Sequence, residues 1–252
     1  MTLKDNLRGN YRFLPGVAPY SSGVVAMPGY EIAHAVLHRP LPYRDGFASI
    51  ERYLAAAGRP RLALCGVELR STRPLSLEGF GAFNEGYRQV LVEWDALVDG
   101  VNPVARTNVA PEVYPPAEPS LYAFSYTVPD VTGDAPPAFV VAGAGETRQG
   151  SLRVERVVRA GETSADALRE KAACVMETML VRLVGLGVTP AQVTTANVYT
   201  VRELQPYLAE TILAVLGPAA VHGVHWYYTR PPIVGIEFEM DVRGVRREMR
   251  VG

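Results

Sequence analysis

Cysteine is nearly absent from the chain: Cys65 and Cys174 are the only two among 252 residues. Two thiols so far apart, with no Cys-x-x-Cys, exclude a disulfide framework and a dithiol redox motif. Both lie in apolar stretches and read as buried structural thiols. Histidine is scarce too, at positions 34, 38, 222 and 225. His222 and His225 are three apart, which on a strand sends them to opposite faces, and no third ligand accompanies them, so no metal is expected. No apolar run approaches the ~18 residues of a membrane span. Met1–Tyr11 is polar and lacks the apolar stretch of a secretory signal, so a cytoplasmic protein with no membrane partner is expected. Charge excess is missing as well, with 25 Lys and Arg against 26 Asp and Glu, and no basic stripe calls for nucleic acid. Gly143-Ala144-Gly145-Glu146-Thr147-Arg148 begins like a dinucleotide loop, but Arg148 stands where the third glycine belongs, so it reads as a strand end and turn. No Gly-x-Ser-x-Gly elbow occurs.

What is present is a repeated layout. Phe47, Ile50, Leu54 and Ala57 recur at helical spacing, and Gly58 ends that helix. Leu62–Leu69 reads as a buried strand, and Phe80, Phe83, Tyr87, Val90, Leu91 and Trp94 mark a second helix. In the other half, Thr163 or Ser164 caps a helix carrying Leu168, Ala172, Val175, Met179 and Leu183, which Gly187 ends. Val193–Thr200 is rich in β-branched residues and reads as a strand. Leu204, Leu208, Ile212 and Val215 give the last helix. Helix, glycine, strand, helix twice over is what duplication leaves behind.

Strands flank each copy. Ser22–Met27 and Glu31–His38 read as a hairpin around Pro28-Gly29, and Tyr122–Val128 with Ala138–Ala144 as its counterpart. Further strands are expected over 104–113, 153–159, 224–228 and 233–242. Four prolines in Pro111–Pro119 suggest the linker between two domains, 1–115 and 116–252. The fold class is α+β, each unit a β-sheet with two helices on one face.

Several motifs resemble the Rid/YjgF family of imine and enamine deaminases. They are Pro19-Tyr20-Ser21-Ser22, Ala56-Ala57-Gly58, Phe83-Asn84-Glu85-Gly86-Tyr87, Pro103-Val104-Ala105-Arg106-Thr107-Asn108-Val109, Asn197-Val198-Tyr199-Thr200 and Ile236-Glu237-Phe238-Glu239. The resemblance covers nearly the whole chain, and the Pro-x-Ala-Arg-Thr stretch is its most specific part. A family member is usually one unit of about half this length, so the tandem form is a departure. The resemblance implies two tandem chorismate-mutase-like units and clefts between adjacent units. Filling threefold rings of such units then calls for a homotrimer.

The same resemblance implies site residues. Arg106 matches the arginine that binds the substrate carboxylate, a task suited to a planar guanidinium fork that stays charged. Glu237 matches the glutamate that helps place a water and can accept its proton; Glu239, two residues on, shares its face. Tyr20 closes the cleft, and Asn84 is a further substrate-binding candidate beside Phe83. Laid on the first half, the second places His222 near the Arg106 position. The run from His222 to Arg230 is the densest polar-aromatic cluster. It offers His225 as acid or base, His222 and Tyr227 as substrate contacts, and Arg230 for a second carboxylate. One cleft is thus expected to combine Arg106 with Glu237.

The activity implied is cofactor-free hydrolytic deamination of a small conjugated carboxylate. Two-unit chains of this kind resemble bacterial deaminases of aromatic-ring degradation, which implies 2-aminomuconate or a substituted relative. The alternatives are a chorismatase-like enzyme on the same scaffold and a non-catalytic small-ligand-binding protein.

Overall fold

Strands and helices alternate along the chain so that two helix-backed sheets stack face to face. The computed structural model describes residues 2–133, 135–148 and 156–252. The strands are β1 (Lys4–Asn6), β2 (Tyr11–Leu14), β3 (Gly23–Ala26), β4 (Tyr30–Pro42), β5 (Leu64–Arg70), β6 (Ala105–Pro111), β7 (Ser120–Pro129), β8 (Phe139–Gly145), β9 (Thr195–Tyr199), β10 (His225–Tyr227), β11 (Thr229–Arg230), β12 (Glu239–Gly244) and β13 (Arg247–Val251). The long helices are α1 (Tyr43–Ala56), α2 (Leu77–Glu93) and α3 (Ala165–Leu186). A fourth helical stretch joins Gln205–Tyr207, a π-helical turn over Leu208–Leu213, and Ala214–Leu216. Ser164 caps α3 by accepting from the Ala167 amide, and Gly187 ends it at φ 76°, a left-handed conformation that favours glycine.

One sheet has the order β1-β2-β3-β8-β12-β9-β10 and the other β11-β6-β5-β7-β4-β13. The first packs α3 and the fourth helix against Val141, Val198, Phe238 and Met240. The second packs α1 and α2 against Ala35, Leu69, Leu121 and Tyr126. Between the sheets lie Phe13, Val24, Ile32, Cys65, Ala105 and Ala142. Central strands are therefore buried on both faces, and their sequences lose strict alternation.

The two sheets share a strand order. β6-β5-β7-β4 and β10-β9-β12-β8 are built alike: each contains a parallel pair, β5 with β6 and β9 with β10, joined across a helix. The expected division at 115/116 falls between β6 and β7, and β7 pairs with β4 and β5 from before it. The proline-rich stretch is a β6–β7 connection: proline breaks a strand equally well inside a unit. Both expected hairpins are also corrected. β3 pairs with β2 and β8, whereas β4 pairs with β7 and β13. The chain ends cross over as well, β1–β3 extending the second unit's sheet and β13 the first's. Of the strand expected over 153–159, residues 153–155 lie outside the described residues; Val157 makes a single bridge to Thr147 and Arg159 is in a turn. Among the described residues no helix is long and apolar enough to cross a membrane.

Candidate active site

β6 carries Arg106 towards α2, on the face of its sheet that also bears Val67 and Leu69, and the side chain is almost wholly buried there. Its Nη2 donates to Asn84 Oδ1 on α2 at 2.7 Å. Four rings surround the guanidinium, with centroids at 4.6 Å (Tyr20), 4.8 Å (Tyr87), 5.5 Å (Phe80) and 5.8 Å (Phe83). Such faces attract a cation without neutralising it. Nη1 is buried with no hydrogen-bond partner among the described residues, and no carboxylate there forms an ion pair with Arg106. Burial pulls its pKa down, but a guanidinium remains charged at working pH. A buried cation with a free donor and no counter-ion is suited to an anionic ligand.

That ligand has room. Arg106 lines a cavity of about 410 Å³ whose walls also include Tyr20, Phe80, Asn108, Arg182, Ile236 and Glu239. This is within the ~300–1,000 Å³ typical of small-molecule sites. α3 supplies the second cation. Arg182 donates to the Ala142 carbonyl at 2.7 Å and likewise has no acidic partner within ion-pair distance among the described residues. Thr178, one turn earlier, lines the same wall.

β12 supplies the acid. Glu239 is buried, and its pKa is pushed up to about 8, first by burial, then by the neighbouring Asp241 charge, against the pull of Arg106 and Arg182. At neutral pH it is mostly a neutral carboxylic acid. The cavity therefore presents two positive charges and one proton donor. The approach of β8 to this acid needs glycine: a Cβ on Gly143 would overlap the Glu239 carboxyl, and one on Gly145 would lie 2.7 Å from Ile236 Cγ2.

The structure brings Arg106, Asn84 and Tyr20 together and places the other sequence candidates elsewhere. Glu237 is the first correction. Position 237 precedes the strand, so the two-residue rule that would align it with Glu239 does not apply, and its carboxylate turns to Arg202 at 3.0 Å. His222 and His225 are exposed, and neither lines the cavity. Arg230 is held at both carboxylate oxygens by Glu112, so it is not free for a second substrate carboxylate. Tyr227 stacks on Tyr199 with centroids 5.2 Å apart. The cluster that looked dense in sequence spans two edge strands, β10 and β11, and none of its residues lines the cavity. Arg182 was missed because an arginine beside an apolar helical stripe reads as a solvated flank; its i, i+4 pairing with Thr178 is the one signal it left.

A polar network lies between the sheets. Asp241 accepts from Thr107, Tyr199 and Asn197 at 2.7, 2.8 and 2.9 Å. Glu68 sits between Arg70, Arg243 and His34 at 3.3–3.5 Å. Burial, and then the Arg243 charge, hold His34 below its ordinary pKa, which keeps it neutral. Among the described residues no three His, Cys, Asp or Glu side chains converge as a metal cluster would.

Comparison with known proteins agrees over nearly the full length. The model of a family described as 2-aminomuconate deaminase CnbZ matches residues 3–249. A 2-amino-5-chloromuconate deaminase of Comamonas testosteroni is 44% identical over 241 residues, 95% of each chain. Among solved structures, a chorismatase aligns with 97% of this chain and 89% of its own, at 12% identity and a TM-score of 0.48. A cyanuric acid hydrolase aligns with 85% and 67%, at 8% identity and a TM-score of 0.40.

Proposed function

The chain belongs to the 2-aminomuconate deaminase CnbZ family, and from this premise we propose that it hydrolyses 2-aminomuconate or a substituted relative, releasing ammonia. The observation that carries the reading is the pairing of two unneutralised arginines, Arg106 and Arg182, with a protonated Glu239 in one cavity. A muconate is a flat dianion. Two guanidinium forks suit its two carboxylates, and the Tyr20 and Phe80 rings suit its conjugated chain.

The steps need no metal or cofactor. Glu239 gives its proton to the enamine carbon, which turns C(NH2)=CH into an iminium. Water then adds to the C=N carbon, and the Glu239 carboxylate takes the proton that water sheds. The resulting carbinolamine transfers its hydroxyl proton to nitrogen, with Glu239 as relay. The C–N bond breaks, leaving a 2-oxo dicarboxylate and ammonia. One water is consumed and Glu239 returns to its acid form. The buried cations stabilise the charge as it moves, which is where preorganised sites gain most of their rate.

We read the two helix-backed sheets as two Rid-like units, supported by their matching strand orders. The expected homotrimer belongs to the same reading and rests on the resemblance.

The test is ammonia release from freshly generated 2-aminomuconate. Arg106→Ala and Arg182→Ala should each lower kcat/KM by about thirtyfold or more, since truncating one side of a buried charge pair costs roughly 2–5 kcal/mol. Arg182→Ala should also erase the preference for a dicarboxylate over its monoamide. A wild-type protein that releases no ammonia from this substrate rules the reading out.

A further inference from the structure

A buried ion pair stands directly behind the cavity wall. Glu146 and Lys171 are both fully buried, with Nζ 3.1 Å from Oε1. Lys171 also donates to the Val158 carbonyl at 2.8 Å. The Glu146 carboxylate accepts two backbone amides, Glu237 N at 2.7 Å on Oε1 and Phe238 N at 3.0 Å on Oε2. These are the two residues before Glu239. In the ladder, Glu239 pairs with Gly145, so continued pairing would set 238 and 237 against 146 and 147. A side chain takes over there from the strand. This is why β12 starts only at Glu239, and why Glu237 turns out to Arg202 while Glu239 turns in.

A buried carboxylate is a costly way to bond two amides unless it is paired and satisfied, and here both amides belong to one short run of chain. We propose that Glu146, held in place by Lys171, is the positioning residue that aims Glu239 into the cavity. The role rests on the reading of Glu239 as the proton-transfer group. Glu146 also adds a negative charge near Glu239. The charged groups around Glu239 are Asp241 and Glu146, which favour its acid form, and Arg106 and Arg182, which oppose it.

The experiment uses three proteins. The double variant Glu146→Gln/Lys171→Met removes both charges together, so neither is left buried and unpaired. The single variant Glu146→Gln tests the charge. Hydrogen exchange in the wild type should show the amides of Glu237 and Phe238 protected. In the double variant the glutamine keeps one acceptor oxygen, so at least one of the two amides should lose protection while Met240–Val242 keep theirs. With the acid misaimed, kcat should fall roughly 10–100-fold, while KM moves by about threefold or less because Arg106 and Arg182 stay in place. In Glu146→Gln the alkaline limb of kcat should begin at lower pH, a shift that loss of packing alone would not produce. Unchanged protection at 237 and 238 in the double variant, kcat within about twofold of wild type, or an unmoved alkaline limb overturns the proposal. Failure of the functional reading looks different: no ammonia from the wild type, with the exchange pattern still as described.

Discussion

Glu239 has an ionisation that works against folding. An exposed glutamate titrates near 4.5, and this one near 8. Below 4.5 the group is protonated in both the folded and unfolded chain and contributes nothing. From 4.5 upward the unfolded chain releases its proton while the folded chain keeps it, so stability declines until about pH 8 and then levels. Glu239→Gln removes that penalty without changing the shape of the side chain. The variant should melt at the same temperature as wild type at pH 4.5 and higher at pH 9, each kcal/mol regained raising Tm by about 2–4 °C. Its kcat should fall about 100-fold or more, as for loss of a general acid. Melting curves at the two pH values with an assay at pH 7 check both. A Glu239→Gln protein no more stable than wild type at pH 9 contradicts the buried neutral acid.

At the scale of elements, strand exchange is the feature with consequences. β1–β3 complete the second unit's sheet and β13 completes the first's. A fragment 1–115 lacks β7 and β13, and 116–252 lacks β1–β3 and carries β7 without its partners. Neither should melt cooperatively when expressed alone, because sheets and cores would be left open. A chain cut in the β7–β8 connection and co-expressed should copurify as one complex. A cooperative melt of 1–115 on its own contradicts this.

The same elements show what could be read in advance. Helix faces, their glycine ends and the central strands were legible, because burial imposes a period on each. Pairing was not. Ser22–Met27 and Glu31–His38 are neighbours in sequence with a turn between them, and nothing local tells that they join different sheets. The motifs pointed to Arg106, Asn84 and Tyr20, and these three side chains lie side by side. Glu239 was half legible: the right segment was marked, but the choice between its two glutamates depends on where β12 begins. That start is set by Glu146, 93 residues earlier, through a contact no local pattern reveals.

At the scale of the molecule, the cavity draws on both sheets and their helices. Arg106 comes from β6 of the first unit, Glu239 and Arg182 from β12 and α3 of the second. By strand order the counterpart place sets β10 against β7. There Tyr122 lies on the Arg70 guanidinium at 3.8 Å and Tyr227 at 5.6 Å. Rings and arginine thus pack together there, and where β12 opens with the buried Glu239, β7 carries Tyr122. The central claim is that this cavity grips a flat dianion at both ends. Muconate itself, the diacid without the amino group, cannot be deaminated and is the direct probe. A crystal structure with muconate bound should show one carboxylate on Arg106, the other on Arg182, and the carbon chain beside the Glu239 carboxyl. Muconate bound outside this cavity, or held in it by neither or only one of the two arginines, contradicts the account.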